Sequence, residues 1–159
     1  MHRLLQSAYS RTMRHILYAM QFKGTATPGS EEGVLKATTS ATSCDVRTIV
    51  GPGGVDGSFT PADGGMAFFE SEVKMTGSHK FTEKGSIAFG DDHSLEFDTV
   101  GEGHLEASAD PTIMSGAVSW MITRGEGQFA GASGYITSNF MVSAAGEVTD
   151  YHVGVIFLK

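Results

Sequence analysis

The chain has 159 residues, of which 40% are hydrophobic and 18% charged; this length and composition suit one folded globular domain and exclude a disordered chain. A single cysteine, Cys44, excludes a disulfide-stapled scaffold and favours a reducing, cytoplasmic location. The net charge is −7 and all 18 acidic residues follow residue 30, which argues against nucleic-acid binding. The chain has no apolar run of about 18 residues, which predicts that no segment spans a membrane.

The N-terminal residues 1–13 are predicted to be an extension to a single β-barrel domain that spans residues 14–159. The first twelve residues contain Arg and Ser but no acid, as a transit-type segment does, and they lack the apolar stretch of a secretory signal. An upstream start codon would explain them equally well. We expect this extension to be disordered or exchanged with another copy, and we attach no function to it.

The next segments alternate between β-forming stretches and turn signals. Residues 15–27 are rich in β-formers and end at Pro28-Gly29. Residues 35–50 predict either one long edge strand or two short strands. Residues 51–54 (GPGG) and residues 61–65 (PADGG) both predict breaks in the chain.

Residues 66–75 (MAFFESEVKM) have mixed periodicity, and the glycines around them favour a strand over a helix. Glu70 shares a strand face with Met66 and Phe68. If that face turned inward, Glu70 would be a carboxylate in an apolar cavity, and it is therefore our candidate catalytic acid or base. The opposite face, with Phe69 and Val73, is equally apolar and would leave Glu70 in water. We favour this second arrangement because buried unpaired acids are rare.

Residues 80–89 predict another strand, and residues 95–107 show the clearest alternation. Leu95 and Phe97 fall on one face, and the acids fall on the other. His104 lies on the acidic face between Glu102 and Glu106. Successive side chains on one strand face stand about 7 Å apart, too far for all three to bind one ion. We therefore predict a solvated acidic face, no metal site and no cofactor.

The last strands carry the large side chains that we expect to face inward. Trp120 and Phe140 lie on apolar parities, and on the last strand we assign Tyr151 to the inward parity as well. Together with Phe97, these residues either fill the barrel or line a pocket for a small apolar ligand, and they are the candidate ligand-binding residues. On the other parity of the last strand, Asp150 and His152 share a face, where we expect a surface pair.

An apolar outer patch is predicted from the opposite parity of the neighbouring strands. Met121, Tyr135 and Met141 would lie on it. Apolar patches of this kind usually mark an interface, so we expect a homo-oligomer.

These segments amount to about eight strands with short connections and no crossover helix. The fold class is therefore all-β, and we predict a closed or flattened antiparallel barrel with its strands in meander order. Strand count alone leaves a two-sheet sandwich open.

Residues 125–135 (GEGQFAGASGY) follow the pattern GxGxFxGAxG after the strand that carries Trp120. This hairpin resembles the signature of the allene oxide cyclase-like barrels, a superfamily that includes allene oxide cyclases, dirigent proteins and bacterial domains of unknown function. The resemblance implies the barrel fold, in which such proteins steer a reactive intermediate inside an apolar cavity. It assigns no catalytic residue to this chain, because the motif is a marker of the fold.

Two functions follow as hypotheses, and whether the protein is an enzyme stays open. The first is a barrel that binds a small hydrophobic ligand in its interior, with cyclase or isomerase activity as an extension. The alternative is a non-enzymatic structural or assembly protein with a solid core.

Overall fold

Apart from the fifth and sixth strands, consecutive strands within residues 13–159 pair antiparallel, and the last strand returns to pair with the first. The computed structural model describes residues 13–159. The strands are β1 (Arg14–Pro28), β2 (Val34–Gly51), β3 (Gly54–Met75), β4 (Lys80–Phe89), β5 (Ser94–Thr99), β6 (Gly103–Ala107), β7 (Ile113–Glu126), β8 (Ser133–Ser143) and β9 (Glu147–Leu158). A 3-10 helix, Gly127–Phe129, follows β7.

The sheet closes into a barrel of eight strand positions. β1 and β9 pair along their length, from Arg14 opposite Leu158 to Thr25 opposite Glu147. β5 and β6 occupy one position between β4 and β7, because the chain leaves the ladder at residues 100–102. The predicted all-β meander barrel is thus confirmed.

The hairpin of β2 and β3 differs from the prediction. β2 is one long strand, which was one of the two predicted alternatives, but it pairs with β1 and β3 and is not an edge. β3 continues through residues 61–65, where a break was predicted. A register shift between Thr42 and Cys44 takes up the irregularity of that segment without ending the pairing. The outer part of the hairpin, residues 45–58, is exposed.

The predicted N-terminal extension lies outside the described residues except for Met13. Within residues 13–159, no helix is long and apolar enough to cross a membrane.

An aromatic cluster fills the middle of the barrel. Trp120, fully buried, stacks on Phe97 with ring centroids 4.3 Å apart, and Phe69 stacks on Trp120 at 5.4 Å. Phe22 and His152 stack beside them at 4.1 Å. Because aromatic side chains bury large apolar areas, this cluster supplies much of the core.

One end of the barrel is closed by the glycine-rich segment after β7. The ring of Phe129 is buried and lies 5.3 Å from the ring of Phe89. Gly127 has a φ of +63°, and a Cβ on it would collide with the main chain of Asp92. Glycine is needed here for both its left-handed backbone and this close approach.

The inward face of β9 is the opposite of the one predicted. Val148, Asp150, His152, Ile156 and Leu158 are buried. Tyr151 therefore points out of the barrel, and the predicted surface pair of Asp150 and His152 is in fact interior. The prediction was wrong because β9 is apolar on both faces.

Candidate functional site

A cavity of about 140 Å³ lies at the end of the barrel opposite Phe129. Its wall is mostly apolar, with side chains that include Phe69, Val73, Phe81 and Phe140. Four polar side chains interrupt this wall, namely Thr39, Glu83, Ser138 and Asp150. A mostly apolar cavity with a few convergent polar groups is typical of small-molecule sites.

The carboxyl group of Glu83 is buried in this wall. Ser71 Oγ donates to its Oε1 at 2.5 Å, and Trp120 Nε1 donates to its Oε2 at 3.2 Å. The pKa of Glu83 is raised to about 7. Burial is the main cause and the charge of Asp150 adds to it, whereas the hydrogen bonds from Ser71 and Trp120 oppose the rise. Glu83 can therefore gain or lose a proton near neutral pH.

The main chain of Glu83 on β4 lies beside the gap between β5 and β6, where Thr99 holds it. The hydroxyl of Thr99 accepts from the Glu83 N–H and donates to the Glu83 carbonyl, both at 2.6 Å. β5 ends at Thr99 and β6 begins at Gly103, so this hydroxyl takes the place of a missing strand partner. The backbone that carries Glu83 is thereby satisfied without a continuous ladder.

Asp150 is held in a matching way on the hairpin of β8 and β9. Ser138 Oγ donates to Asp150 Oδ1 at 2.6 Å, and His152 Nε2 lies 2.9 Å from Asp150 Oδ2. Ser138 precedes Asp150 by 12 residues, the separation that also joins Ser71 to Glu83. Both carboxyl groups thus accept from a serine at the diagonal position of the preceding strand.

The hydroxyl of Thr39 is the cavity's third polar feature. Its Oγ1 atom is buried and has no hydrogen-bond partner among residues 13–159. Because buried hydroxyls normally find a partner, this atom is available to a molecule in the cavity.

The four predicted ligand-binding residues do not lie together. Phe140 lines the cavity, while Phe97 and Trp120 are in the aromatic cluster behind its wall. Tyr151 is on the outside, where its hydroxyl accepts from Gln21 Nε2 at 2.9 Å and its ring lies 5.1 Å from that of Phe59.

Glu70, the predicted candidate acid, is exposed on the outer face of β3, whereas Phe69 faces the core. The structure therefore places Glu70 away from the cavity, in the solvated arrangement that the sequence favoured. The acid that faces the interior in this part of the sheet is Glu83, on the next strand, β4.

The sequence contains a usable signal for one of the two interior acids. Glu83 shares its strand parity with Phe81, Ile87 and Phe89, so the alternation of β4 places it inward. Asp150 has no such signal, because the parity opposite to it carries Tyr151 and three further apolar residues.

Metal-binding geometry is absent from residues 13–159, where no three His, Cys, Asp or Glu side chains lie close enough to share an ion. His104 Nε2 lies 2.9 Å from Glu106 Oε1 on the exposed face.

The similarity of this chain to known proteins lies in its structure. No family model and no curated protein matches it. The pterocarpan synthase dirigent protein GePTS1 superposes with a TM-score of 0.53 at 14% identity, over 92% of this chain and 86% of that protein. The pterocarpan synthase dirigent protein PsPTS1 gives a TM-score of 0.53 at 14% identity, over 91% of this chain and 96% of its own.

The fold is that of the dirigent proteins. This likeness confirms the fold that the glycine-rich hairpin implied, and at 14% identity it concerns the fold alone. The roles of the acids that line the cavity of this dirigent-like barrel therefore follow from their own contacts and not from the likeness.

Proposed function

We propose that the barrel binds a small, neutral, largely apolar molecule that donates a hydrogen bond to the carboxyl groups of its cavity. The observation that carries this proposal is the convergence of Glu83 and Asp150 on an otherwise apolar cavity. Burying two acids away from water is unfavourable, and an interior with no ligand to recognise would be more stable with apolar side chains there. A cavity also argues against the solid-core alternative.

The volume of the cavity limits the ligand to about one ring. A protein cavity of roughly 150 Å³ holds benzene, and this one measures about 140 Å³. A larger ligand would have to project past the turns that surround the cavity.

The two acids also select for charge. A ligand carboxylate would meet the charge of Asp150 at close range in a poorly solvated site, whereas a phenol or alcohol could donate to either acid. We therefore expect neutral hydroxyl compounds to bind and carboxylates of the same shape to be rejected.

Glu83 gives the same site a means of proton transfer. A carboxyl group whose pKa is about 7 is present in both forms at neutral pH, which is what a general acid or base requires. In an isomerisation or cyclisation, Glu83 would exchange the proton with the ligand, and Asp150 would stabilise positive charge that develops beside it.

Calorimetric titration with p-cresol and 4-methylbenzoate tests the binding proposal. We expect p-cresol to bind the natural chain and 4-methylbenzoate to bind at least about tenfold more weakly. The variant D150N should reduce this discrimination, whereas E70Q, which neutralises an exposed acid, should not. Failure of p-cresol and of other one-ring alcohols to bind would overturn the proposal.

We propose in addition that the outer face of β1, β9, β8 and β7 packs against a second copy of the chain. Leu17, Val155, Tyr135 and Met121 stand in register across these four strands, and their exposed fractions are 69%, 40%, 58% and 46%. On these four strands the outward residues beside this apolar row carry no acid: His15, Phe157, Ser133, Ala19, Val153, Thr137 and Ser119. Asp98 on β5, which pairs with Met121, borders the row at one end. The same face of a second copy would suit it, since on these four strands neither copy has an acid beside the row that needs pairing.

The strands that continue the barrel beyond β7 are charged on their outer face, which provides a matched control. There Glu72, Lys84 and Asp98 stand in register on β3, β4 and β5. Sedimentation of the natural chain should show an oligomer that Y135E dissociates and K84E leaves intact. A natural chain that is monomeric at all concentrations would contradict the proposal.

A further inference from the structure

His152 lies behind Asp150 and is fully buried. Its Nε2 atom faces Asp150 Oδ2 at 2.9 Å, and a carboxylate oxygen only accepts, so Nε2 carries the proton. In a neutral imidazole, Nδ1 is then an acceptor. This Nδ1 atom is buried and has no hydrogen-bond partner within residues 13–159.

Tyr18 supplies a donor in the adjoining layer of the core. Its hydroxyl is also buried and lacks a partner among the described residues. Tyr18 pairs with Gly154, the next inward residue after His152, and a Cβ on Gly154 would collide with Tyr18 Cε1. The tyrosine ring therefore lies over Gly154, about 7 Å along the strand from His152 and on the side away from Asp150.

The two atoms are complementary in their hydrogen-bonding roles. A buried hydroxyl and a buried imidazole nitrogen, each without a partner, are costly singly, and a water between them would satisfy both. We propose that one internal water joins Tyr18 Oη to His152 Nδ1, so that Tyr18 and His152 position the carboxylate of Asp150 at the cavity wall.

The electrostatics of Tyr18 agree with this arrangement. Burial raises the pKa of Tyr18, and the charge of Asp150 raises it further. The hydroxyl therefore stays protonated and remains a donor, and the charge of Asp150 is felt at the tyrosine.

The chain of contacts then runs from Tyr18 through the water and His152 to Asp150, whose other oxygen accepts from Ser138. Because the water holds the Nδ1 side of the His152 ring, the Nε2–H group on the other side keeps a constant direction towards Asp150. This inference deepens the proposed ligand site. Only its ligand-binding test rests on the proposed function, whereas the spectra and the crystal structure test the water bridge directly.

Nitrogen-15 spectra of protein labelled at histidine test the bridge without any ligand. The resonances of His152 are assigned by their loss in His152→Gln. In Tyr18→Phe we expect the His152 Nδ1 resonance to move to higher frequency, towards that of an acceptor without a partner. The control Tyr135→Phe, which alters an exposed tyrosine, should leave it in place. An unchanged resonance in Tyr18→Phe would overturn the inference.

A crystal structure of the natural chain provides a second test that needs no variant to fold. It should show one water within about 3.2 Å of both Tyr18 Oη and His152 Nδ1. A direct bond between these atoms, or no water between them, would also overturn the inference.

Binding of p-cresol separates this inference from the proposed function. Tyr18→Phe should weaken p-cresol binding by about two- to tenfold, the range for one hydrogen bond, with Tyr135→Phe unaffected. If p-cresol does not bind the natural chain, the proposed function fails, and the spectra and the crystal structure alone decide whether the bridge exists.

Discussion

Glu83 and Asp150 line one cavity, and each accepts a hydrogen bond from a serine that lies 12 residues earlier on the preceding strand. The two hairpins, β3–β4 and β8–β9, therefore present equivalent acids to the same space. The acids differ in their second contacts, since Trp120 donates to Glu83 and His152 contacts Asp150. Because the charge of Asp150 raises the pKa of Glu83, the pair can hold one proton and one negative charge near neutral pH.

Stability should depend on pH through Glu83. Its pKa rises from 4.5 to about 7 on folding, mainly through burial, so the folded chain binds more protons than the unfolded chain between these values. The free energy of unfolding should therefore fall by about 3 kcal/mol as pH rises through this window, and Glu83 should add no slope above it. Urea unfolding of Glu83→Gln should lack this component, and Glu70→Gln should retain it. An identical slope in Glu83→Gln would contradict the prediction.

Removing the serine that donates to Glu83 should raise the pKa of the acid further. The Ser71 hydrogen bond lowers the pKa of Glu83, so Ser71→Ala should shift its titration, followed by carbon-13 NMR of the carboxyl group, to higher pH. We also expect a loss of about 1–2 kcal/mol in stability. Ser119→Ala, on the exposed face of β7, serves as the control. A titration that moves to lower pH would show that Ser71 does not stabilise the ionised form.

Thr99 should matter through its hydroxyl alone. Thr99→Val keeps the shape but removes both hydrogen bonds to the main chain of Glu83, and should lower the free energy of unfolding by about 1–3 kcal/mol. Hydrogen exchange at the Glu83 amide should become faster, and Thr99→Ser should restore protection. Equal protection in the valine variant would mean that another group holds this amide.

Phe140 and Tyr151, which the sequence grouped together, should behave differently. Phe140→Ala should cost about 3 kcal/mol and enlarge the cavity enough for a two-ring alcohol such as 2-naphthol. Tyr151→Phe removes only the outer hydrogen bond from Gln21 and should leave ligand size selection unchanged. Calorimetric titration of both variants with p-cresol and 2-naphthol compares them, and a change in selection for Tyr151→Phe would count against the assigned cavity.

The alternation of side chains was informative wherever one face of a strand was polar. Leu95 and Phe97 alternate with acids, so their inward direction was correctly predicted, and the same holds for Trp120 and Phe140. Glu83 also obeys this rule on β4. The break in the ladder that Thr99 fills has no counterpart in the sequence, because it depends on where β5 and β6 pair with β4.

The amino-acid sequence by itself determined an all-β meander and the glycine-rich hairpin after β7, since period-two patterning and turn residues act locally. Closure of the barrel depends on the long-range pairing of β1 with β9, and the sequence left a two-sheet sandwich open. Only the tertiary structure decided that Asp150 and His152 face inward. Val153, Val155 and Phe157 make the outer face of β9 apolar as well, so hydrophobicity did not distinguish its two faces. The face is selected by the register of β9 with its neighbours, in which His152 lies opposite Ser138 and Met20, and a shift of one residue would reverse it.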